Sequence, residues 1–260
     1  MLGAQNELSF WAFMIKRGEI MQKEIDELKT IIKESNNIVF FGGAGVSTES
    51  GIPDFRSKDG LYNQKYEYPP EVILSHSFFI RYPEVFYKFY REKLNSLIYK
   101  PNITHEVLAR LENEGKIKAV VTQNIDGLHQ KAGSKTVYEL HGSVHRNYCM
   151  ECHKFFGPEK IFETKAPIPL CDECGGIIKP DVVLYEEGLN PKTLEDSINA
   201  IRNADVLIVG GSSLTVYPAA GLVKYYQGSK MILINRDVTD YDGYANLVIH
   251  DSLGKVFGEL

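Results

Sequence analysis

The chain has 260 residues and a formal net charge of −5, with 43% hydrophobic and 24% charged residues. This length fits one large domain, alone or with a small module, and the composition is that of an ordinary globular protein. Direct nucleic-acid binding is not expected, because phosphate contacts require clustered lysines and arginines. An acidic balance suits a positively charged partner such as a lysine-rich peptide, although it is also common in soluble enzymes.

The N-terminal segment contains a short apolar stretch, Leu8 to Ile15, followed by Lys16 and Arg17. This order is the reverse of a signal peptide, and the stretch is too short to span a bilayer, so we expect no membrane association. A helical pattern begins near Met21. We interpret residues 1–20 as an N-terminal extension that is disordered or reflects a mis-called start.

Apolar residues at helical spacing predict an amphipathic helix over residues 22–35. The run from Ile38 to Phe41 then ends in glycines, as expected for a buried strand. Further strands are predicted at Ile117 to Thr122, Thr136 to Leu140, Asp205 to Val209, Met231 to Ile234 and Asn246 to His250, with helices over 103–114, 192–203 and 216–227. This alternation predicts an α/β, Rossmann-like, doubly wound parallel sheet.

Two insertions interrupt the alternation. Residues 56–100 are rich in aromatic side chains and predict a helical insertion whose rings mostly lie in a core, whereas residues 144–184 contain all four cysteines. We expect the strand ends to gather at one edge of the sheet, where open α/β sheets bind ligands. These strand ends are Gly42, Gln123, Gly210 and Asn235. The Rossmann-like part of the chain outside the two insertions comprises residues 21–55, 101–143 and 185–260.

The cysteines form two C-x-x-C pairs, which is the strongest local signal in the sequence. Two such pairs complete a closed tetrahedral Zn²⁺ site with no open position, which predicts one structural zinc ion; four free thiols are the alternative. We assign the nearby His145 and His153 structural roles. So few cysteines also indicate a reducing, cytoplasmic compartment. The predicted ligands are Cys149, Cys152, Cys171 and Cys174.

A glycine-rich turn, Gly42 to Thr48, directly follows the first strand. Its glycines and a following helix would let backbone N–H groups approach a pyrophosphate, although a plain strand-to-helix turn is the alternative. The turn departs from the dehydrogenase fingerprint, because Thr48 stands where a third glycine belongs. Beyond it, Phe55 could cover a planar ring and Arg56 could meet a phosphate or ribose, unless both are surface residues.

Polar residues follow other predicted strands. Thr122 to Asp126 could bond a ribose and a carboxamide, with loop capping as the alternative. His141, beside a glycine at a strand end, is placed as a general base, although a lone histidine is more often structural. Gly210 to Leu214 and Ile234 to Arg236 offer small residues and side chains for a phosphate and a distal ribose.

These motifs occur together and in order, and over residues 22–255 the chain resembles the sirtuins, closest to their bacterial undifferentiated class. The matching motifs are G-A-G-V-S, G-I-P-D-F-R, T-Q-N-I-D, the H-G of E-L-H-G-S, two C-x-x-C pairs, G-S-S-L and I-N-R. The resemblance implies an NAD-dependent protein-lysine deacetylase or deacylase. Such an enzyme transfers the acyl group from a lysine of a protein or peptide to ADP-ribose, releasing nicotinamide and O-acyl-ADP-ribose.

The resemblance also implies residue roles. His141 would be the general base, with Asn124 as a second catalytic residue, and Ile125 and Asp126 would line a nicotinamide pocket. Asp251, with Ser252 beside it, would reach the adenine end. The remaining NAD contacts would be Ala44, Thr48, Phe55, Arg56, Gln123, Ser212, Ser213, Asn235 and Arg236.

Two departures from the family pattern stand out. Glu186 replaces a glycine in the segment that follows Val182 and Val183, where the family adds its peptide as a strand. Tyr87 matches the first residue of the Tyr-x-x-Arg pair of desuccinylating members, but Tyr90 stands in place of the arginine. We therefore expect acetyl and longer uncharged acyl groups to be preferred over succinyl. Mono-ADP-ribosyl transfer to protein and a non-catalytic NAD or ADP-ribose sensor are the alternative functions.

Overall fold

The computed structural model describes the secondary structure of residues 2–54, 60 and 66–260, and within these ranges the side chains from residue 18 onward. Helix α1 spans Leu2–Glu34, so the helix predicted over residues 22–35 is its C-terminal part. The interpretation of residues 1–20 as an extension stays a prediction. None of the described helices is both long and apolar enough to cross a membrane.

Six strands, numbered along the chain, form one parallel sheet in the order β3-β2-β1-β7-β8-β9. All six confirm strands predicted from the sequence. They are β1 (Ile38–Gly42), β2 (Ile117–Thr122), β3 (Val137–Glu139), β7 (Val206–Gly210), β8 (Lys230–Ile234) and β9 (Leu247–Ile249).

The strand order reverses between β1 and β7, which pair in register from Ile38 with Val206 to Gly42 with Gly210. The chain builds outward from β1 through β2 to β3, and later outward from β7 through β8 to β9 on the other side. A crevice forms at such a reversal, outside the carboxyl ends of the strands. The topology therefore predicts a ligand site beyond Gly42 and Gly210.

Helices cover both faces of the sheet, and alternate residues of each strand point to opposite faces. Phe40 packs with α1, α5 (Ile103–Asn113) and α9 (Leu253–Phe257). Phe41 packs on the other face, against α8 (Pro191–Asn203) and the 3₁₀ helix Ala219–Tyr225. Every residue of β1 is consequently buried, which explains its continuous apolar sequence.

The helix predicted over residues 216–227 is replaced by that shorter 3₁₀ helix, Ala219–Tyr225. The Gly221 N–H donates to the Pro218 carbonyl three residues earlier (3.0 Å), which is the 3₁₀ pattern. Gly221 also disfavours a helix, because glycine loses more backbone entropy than other residues on ordering. The apolar spacing was therefore correct, but the type of helix was not.

The two insertions fold together as one small domain. The first forms α2 (Pro70–Ile73), α3 (His76–Arg81) and α4 (Pro83–Lys93). The second forms β4 (Gly142–Cys149), β5 (Phe155–Phe156), α7 (Glu159–Phe162) and β6 (Ile178–Val182), whose strands pair antiparallel in the order β5-β4-β6. A single apolar cluster joins them, with Phe86 and Tyr87 of α4 packed with Val144 and Ile178.

As predicted, most rings of the helical insertion are core: Phe78, Phe79, Phe86, Tyr87, Phe89 and Tyr90 are buried, whereas Tyr82 is exposed. The cysteine-containing module therefore obtains much of its apolar packing from the other insertion. Helix α6 (Leu128–Ala132) follows β2 and contacts α5, and a short 3₁₀ helix, Asp242–Tyr244, lies between β8 and β9.

Candidate functional site

A cavity of about 660 Å³ opens at the carboxyl ends of β1, β2, β7 and β8, between the sheet and the small domain. This volume lies within the range of small-molecule sites. Of the residues predicted to bind a cofactor or to act in catalysis, Phe55 and Arg56 lie outside the described residues. All the others line the cavity: Ala44, Thr48, Gln123, Asn124, Ile125, Asp126, His141, Ser212, Ser213, Asn235, Arg236 and Asp251.

The glycine-rich turn is shaped by its contact with the turn after β7. The Gly43 N–H donates to the Gly210 carbonyl (3.2 Å), and the Gly45 N–H donates to the Gly211 carbonyl (2.8 Å). A Cβ on Gly45 would lie 2.7 Å from the Gly211 Cα, so a side chain cannot be accommodated there. The N–H groups of Gly43 and Gly45 are therefore bonded within the chain, and the approach of a pyrophosphate to other N–H groups of this turn stays a prediction.

The turn also does not lead into a long helix, contrary to expectation. Two 3₁₀ helices of three residues each follow, Ala44–Val46 and Thr48–Ser50, and Gly51 ends the second with a φ of 93°. The hydroxyl of Thr48 donates to the Gly45 carbonyl (3.0 Å) and so helps to close this tight path. The helix expected after this turn is therefore replaced by two short 3₁₀ helices.

Ser47 lies at the centre of a buried polar network that the sequence did not predict. Its hydroxyl donates to the Asp126 carboxylate (2.6 Å) and accepts from the Asn124 amide (3.1 Å). The Leu128 N–H donates to the other Asp126 oxygen (2.9 Å). Burial raises the pKa of Asp126, and these two hydrogen bonds to its carboxylate oppose that effect. The network fixes two predicted site residues with respect to the glycine-rich turn.

His141 lies just after β3 and is held by the main chain. Its Nδ1 lies 2.9 Å from the Gln123 carbonyl oxygen, and because a carbonyl only accepts, Nδ1 carries the proton. In the neutral ring Nε2 is then the unprotonated nitrogen. Burial lowers the pKa of His141, and the hydrogen bond to Gln123 opposes the shift. The ring is therefore suited to accept a proton at Nε2 near neutral pH.

A second polar chain crosses the cavity floor. The Gln123 amide donates to the Ser212 hydroxyl (2.8 Å). Asn235 bonds the main chain of Ser212 twice, accepting from its N–H (3.0 Å) and donating to its carbonyl (3.0 Å). Ends of β2, β7 and β8 are thereby tied together, as the predicted gathering of strand ends requires.

The outer part of the cavity contains charged groups with partners inside the chain. Arg236 lies 3.8 Å from the Asp54 carboxylate, and Asp251 pairs with Lys255 (2.6 Å). Both Arg236 and Asp251 are among the predicted cofactor contacts, and both lie at the end of the cavity formed by β8 and the start of α9.

The segment after β6 forms the opposite wall. Residues from Val182 to Glu187 line the cavity, and the Val183 N–H donates to the His141 carbonyl (3.0 Å). Thr215 to Pro218 line it as well, and Tyr217 is exposed there. Tyr217 belongs to no recognisable sequence motif and was not among the predicted site residues, whereas Ser47 is the last residue of the motif G-A-G-V-S.

The four cysteines converge as their spacing predicted. All four Sγ atoms lie within 4.8 Å of one another, with Cys149 3.3 Å from Cys174 and Cys152 3.7 Å from Cys171. Sulfurs at tetrahedral positions around zinc, with bonds of about 2.3 Å, would be about 3.8 Å apart. Backbone N–H groups of Glu151 and Glu173 also donate to the first sulfur of each pair (3.4 Å). The donor set therefore fits one closed Zn²⁺ site.

Comparison with known proteins gives the family. Residues 43–218 match the model of the Sir2 family. The chain belongs to the Sir2 family. It is 61% identical over 239 residues to an NAD-dependent protein deacetylase of Clostridium acetobutylicum, covering 91% of this chain and 98% of that protein. It is 50% identical over 232 residues to one of Cutibacterium acnes, covering 88% and 94%.

Solved structures agree with this sirtuin fold. A Sir2 complex with a deacetylated p53 peptide and 3′-O-acetyl ADP-ribose aligns with a TM-score of 0.83 at 40% identity, covering 90% of this chain and 96% of that chain. A Sir2 structure with a propionylated peptide aligns with a TM-score of 0.81 at 38% identity, covering 90% and 95%.

The structure describes both positions at which the sequence departs from the expected family pattern. Glu186 has a φ of 75°, a conformation that glycine adopts readily and other residues rarely do. The Tyr87 hydroxyl donates to the Ile178 carbonyl (2.6 Å), and Tyr90 is fully buried. Neither tyrosine lines the cavity, and Arg91 is bonded to the carbonyls of Ile161 and Pro167.

Proposed function

We propose that the protein is an NAD-dependent protein-lysine deacetylase whose chemistry takes place around His141. One observation carries this proposal: the main-chain N–H of Val183, in the wall opposite the sheet, donates to the carbonyl of the histidine whose Nδ1 proton is fixed by Gln123. The proposed base is thus held between a dinucleotide-type crevice and a strand edge that can receive a peptide.

NAD⁺ fits the donor set of the crevice. Hydroxyl and amide groups of Thr48, Gln123, Ser212 and Asn235 line it, and the small residue Ala44 leaves space beside the turn. Ser213 is proposed to lie toward the phosphates, Arg236 toward the distal ribose and Asp251 toward the adenine end. Phe55 and Arg56 complete the proposed contacts, with a planar ring and with a phosphate or ribose. When bound, NAD⁺ supplies a ribose carbon that becomes reactive as nicotinamide leaves, and the ADP-ribose then accepts the acyl group.

The Ser47 network is proposed to hold the nicotinamide end. Asp126 and Ile125 line that part of the cavity, and Asn124 lies beside them. Two hydrogen bonds hold the Asp126 carboxylate in one orientation, so it can bond a carboxamide without rearranging. Preorganised polar groups of this kind supply much of the rate in reactions that bring two substrates together.

His141 is proposed to remove a proton from a ribose hydroxyl. Its Nε2 lone pair accepts that proton, while the Nδ1 proton stays bonded to the Gln123 carbonyl. The lowered pKa of His141 keeps this ring in the neutral form that can act as the base. Asn124 contributes as a second catalytic residue by its position beside Ser47 in the same cleft.

The acyl-lysine substrate is proposed to enter along Val182 and Val183 as an added strand, because that wall offers main-chain groups beside His141. The acyl groups that we propose to be removed are acetyl and longer uncharged ones. The Tyr87 hydroxyl donates to the main-chain carbonyl of Ile178, and Tyr90 supplies no positive charge for the carboxylate of a succinyl group. The proposed compartment is the cytoplasm, consistent with free thiols that bind zinc.

Zinc is proposed to be held by Cys149, Cys152, Cys171 and Cys174. A closed four-thiolate site leaves no position for substrate, so its role is to stabilise the small domain. No step of the reaction involves this metal.

The test is to incubate the purified chain with an acetyl-lysine peptide, with and without NAD⁺, and to follow peptide and nucleotide by mass spectrometry. NAD⁺-dependent loss of the acetyl group with formation of O-acetyl-ADP-ribose is expected. Protein or peptide carrying ADP-ribose would instead favour mono-ADP-ribosyl transfer. Bound NAD⁺ with an intact peptide would favour the sensor, and formation of NADH would indicate a dehydrogenase.

A further inference from the structure

The cavity wall between Leu184 and Glu187 is fastened to the start of helix α3 by its main chain. The Tyr185 N–H donates to the Leu74 carbonyl (2.9 Å), and the His76 N–H donates to the Tyr185 carbonyl (3.0 Å). This pair of bonds forms an isolated parallel bridge between the two segments. The wall that faces the proposed substrate is therefore supported from behind by the helical part of the small domain.

Glu186 adds a side-chain connection at the same place. One carboxylate oxygen accepts from the Ser77 N–H (2.9 Å), and the other accepts from the Ser77 hydroxyl (2.9 Å). The two carboxylate oxygens of Glu186 thus accept the two hydrogen bonds that Ser77 donates, one each. We call this pair the Glu186–Ser77 clamp.

The backbone conformation of Glu186 indicates that the clamp helps to hold this part of the wall in place. Its φ of 75° is unfavourable for a residue with a Cβ, and such conformations persist where surrounding contacts hold them. The main-chain bonds of Tyr185 and the carboxylate of Glu186 supply those contacts. A glycine would adopt this φ without strain, but it would have no carboxylate to bind Ser77.

The neighbouring Glu187 has a different set of partners. Its carboxylate accepts from the Leu184 N–H (2.9 Å) and the Lys179 ammonium (3.1 Å), and it lies 2.8 Å from Nδ1 of His76. Glu187 therefore stabilises the turn mainly through two earlier residues of the same segment, Lys179 and Leu184. Of these two carboxylates, that of Glu186 bonds both the main chain and the side chain of Ser77 in α3, whereas that of Glu187 contacts only the His76 side chain of this helix.

We propose that Glu186 is a positioning residue for the acyl-lysine substrate, which it serves by holding the cavity wall on α3 through Ser77. This inference rests on the proposed function. Glu186 lines the cavity, whereas Ser77 does not. A change at Ser77 consequently reaches the substrate only through the wall, which separates positioning from direct contact between Glu186 and a peptide.

The experiment is a double-mutant cycle of Glu186→Ala and Ser77→Ala. The dissociation constant of a fluorescent acetyl-lysine peptide is measured by anisotropy, and kcat and KM of deacetylation are measured beside it. Each single variant is expected to weaken peptide binding and raise KM about threefold to tenfold, with kcat little changed, because charge-assisted hydrogen bonds at exposed sites contribute modestly. The double variant should be no weaker than Glu186→Ala alone.

Two further variants separate strain from the clamp. Glu186→Gly removes the unfavourable φ and the carboxylate together, so it should bind peptide as weakly as Glu186→Ala. Glu186→Gln keeps one acceptor oxygen and should recover part of the affinity. Full recovery in Glu186→Gly would overturn the inference, because backbone strain and not the clamp would then control the wall.

The control is Glu71→Ala, which removes an exposed carboxylate of α2 to which the structure assigns no hydrogen bond or ion pair among the described residues. It should bind peptide as the wild type does. Two results would overturn the inference while the proposed function stands. In the first, the losses of peptide affinity in the two single variants add up in the double variant. In the second, the effect of Glu186→Ala on affinity depends on the charge of the peptide, and Ser77→Ala has no effect. A wild-type chain that neither binds nor deacetylates the peptide would overturn both.

Discussion

His141 shows how the main chain can set the chemistry of one side chain. The Gln123 carbonyl fixes the ring proton on Nδ1, which leaves Nε2 as the basic nitrogen. Burial disfavours the charged ring and lowers its pKa below the ordinary value of 6.5. A base must be neutral before it accepts a proton, so this shift widens the pH range in which the residue is ready to act.

The pH dependence of the reaction follows from that shift. Because protonated His141 is inactive and burial lowers its pKa below 6.5, the acid limb of kcat/KM should be centred below pH 6.5, and kcat/KM should be level at about pH 8. The measurement is kcat/KM for an acetyl-lysine peptide across the acid limb and the level region. An acid limb centred above pH 7 would contradict the assignment.

Acyl selectivity is a second prediction at the scale of single residues. Acetyl and butyryl peptides should be deacylated at least roughly tenfold more efficiently than a succinyl peptide, because a buried carboxylate without a cation is costly. Tyr90 holds the position of the expected cation, and Arg91 is engaged by two carbonyls. Butyryl is the matched control, since it is about as long as succinyl but uncharged. Equal rates on succinyl and butyryl would refute this account.

At the scale of elements, zinc and the helical insertion should stabilise each other. The buried sulfurs of Cys149 and Cys171 lie in the same apolar cluster as Phe86 and Tyr87 of α4. We predict that Cys171→Ser, or removal of zinc by a chelator, abolishes activity and raises amide exchange in α4 as well as in β4 and β6. Exchange in β1 and β7 is the internal control. Faster exchange confined to residues 144–184 would show that the insertions are independent.

The contact between α5 and α6 predicts sensitivity to acid. His105 and His129 are buried with ring centroids 4.8 Å apart, and burial lowers the pKa of His105 to about 4 and that of His129 well below its ordinary value. The unfolded chain therefore binds protons first as pH falls below about 6.5, so stability declines from there toward pH 4.

For His105 alone this loss is on the order of 3 kcal/mol at pH 4, at 1.36 kcal/mol per pKa unit. Thermal unfolding between pH 7.5 and 4.5 measures it. Replacing His105 with Gln should reduce the decline of Tm with acid, even if it lowers Tm at pH 7.5. An unchanged slope in this variant would indicate that other groups cause the acid sensitivity.

The sequence predicted the sheet well because its signals are local: apolar runs mark β1 and β7, and glycines and polar residues mark their ends. It also predicted the cysteine site, since two C-x-x-C pairs leave few other arrangements. The 3₁₀ helix at Ala219–Tyr225 was mistaken for a longer helix, because spacing does not report hydrogen-bond type.

What the sequence could not predict depends on contacts distant in the chain. The joining of the two insertions into one core requires α4 to meet β6, about 90 residues later, as in the bond from Tyr87 to Ile178. The bonds of Gly43 and Gly45 to the turn after β7 are equally remote in sequence. The glycines of this motif were predicted to serve a ligand, whereas the close packing of the two turns requires a glycine at Gly45.

At the scale of the whole molecule, function follows from where the two domains meet. The reversal of strand order opens a crevice on one side, and the small domain supplies a strand edge on the other. His141 immediately precedes β4, which leads into the small domain, so it belongs to the connection between them. A net charge of −5 is compatible with a cationic, lysine-containing partner.

The most direct test of this account compares wild type with His141→Ala in one quantitative reaction. Acetyl lost from the peptide and O-acetyl-ADP-ribose formed are counted by mass spectrometry, and NAD⁺ binding is measured by calorimetry. Wild type should form one O-acetyl-ADP-ribose per acetyl lost, and His141→Ala should bind NAD⁺ but react about 10²- to 10⁴-fold more slowly. Deacetylation at the wild-type rate by His141→Ala, or loss of acetyl without the ADP-ribose product, would contradict it.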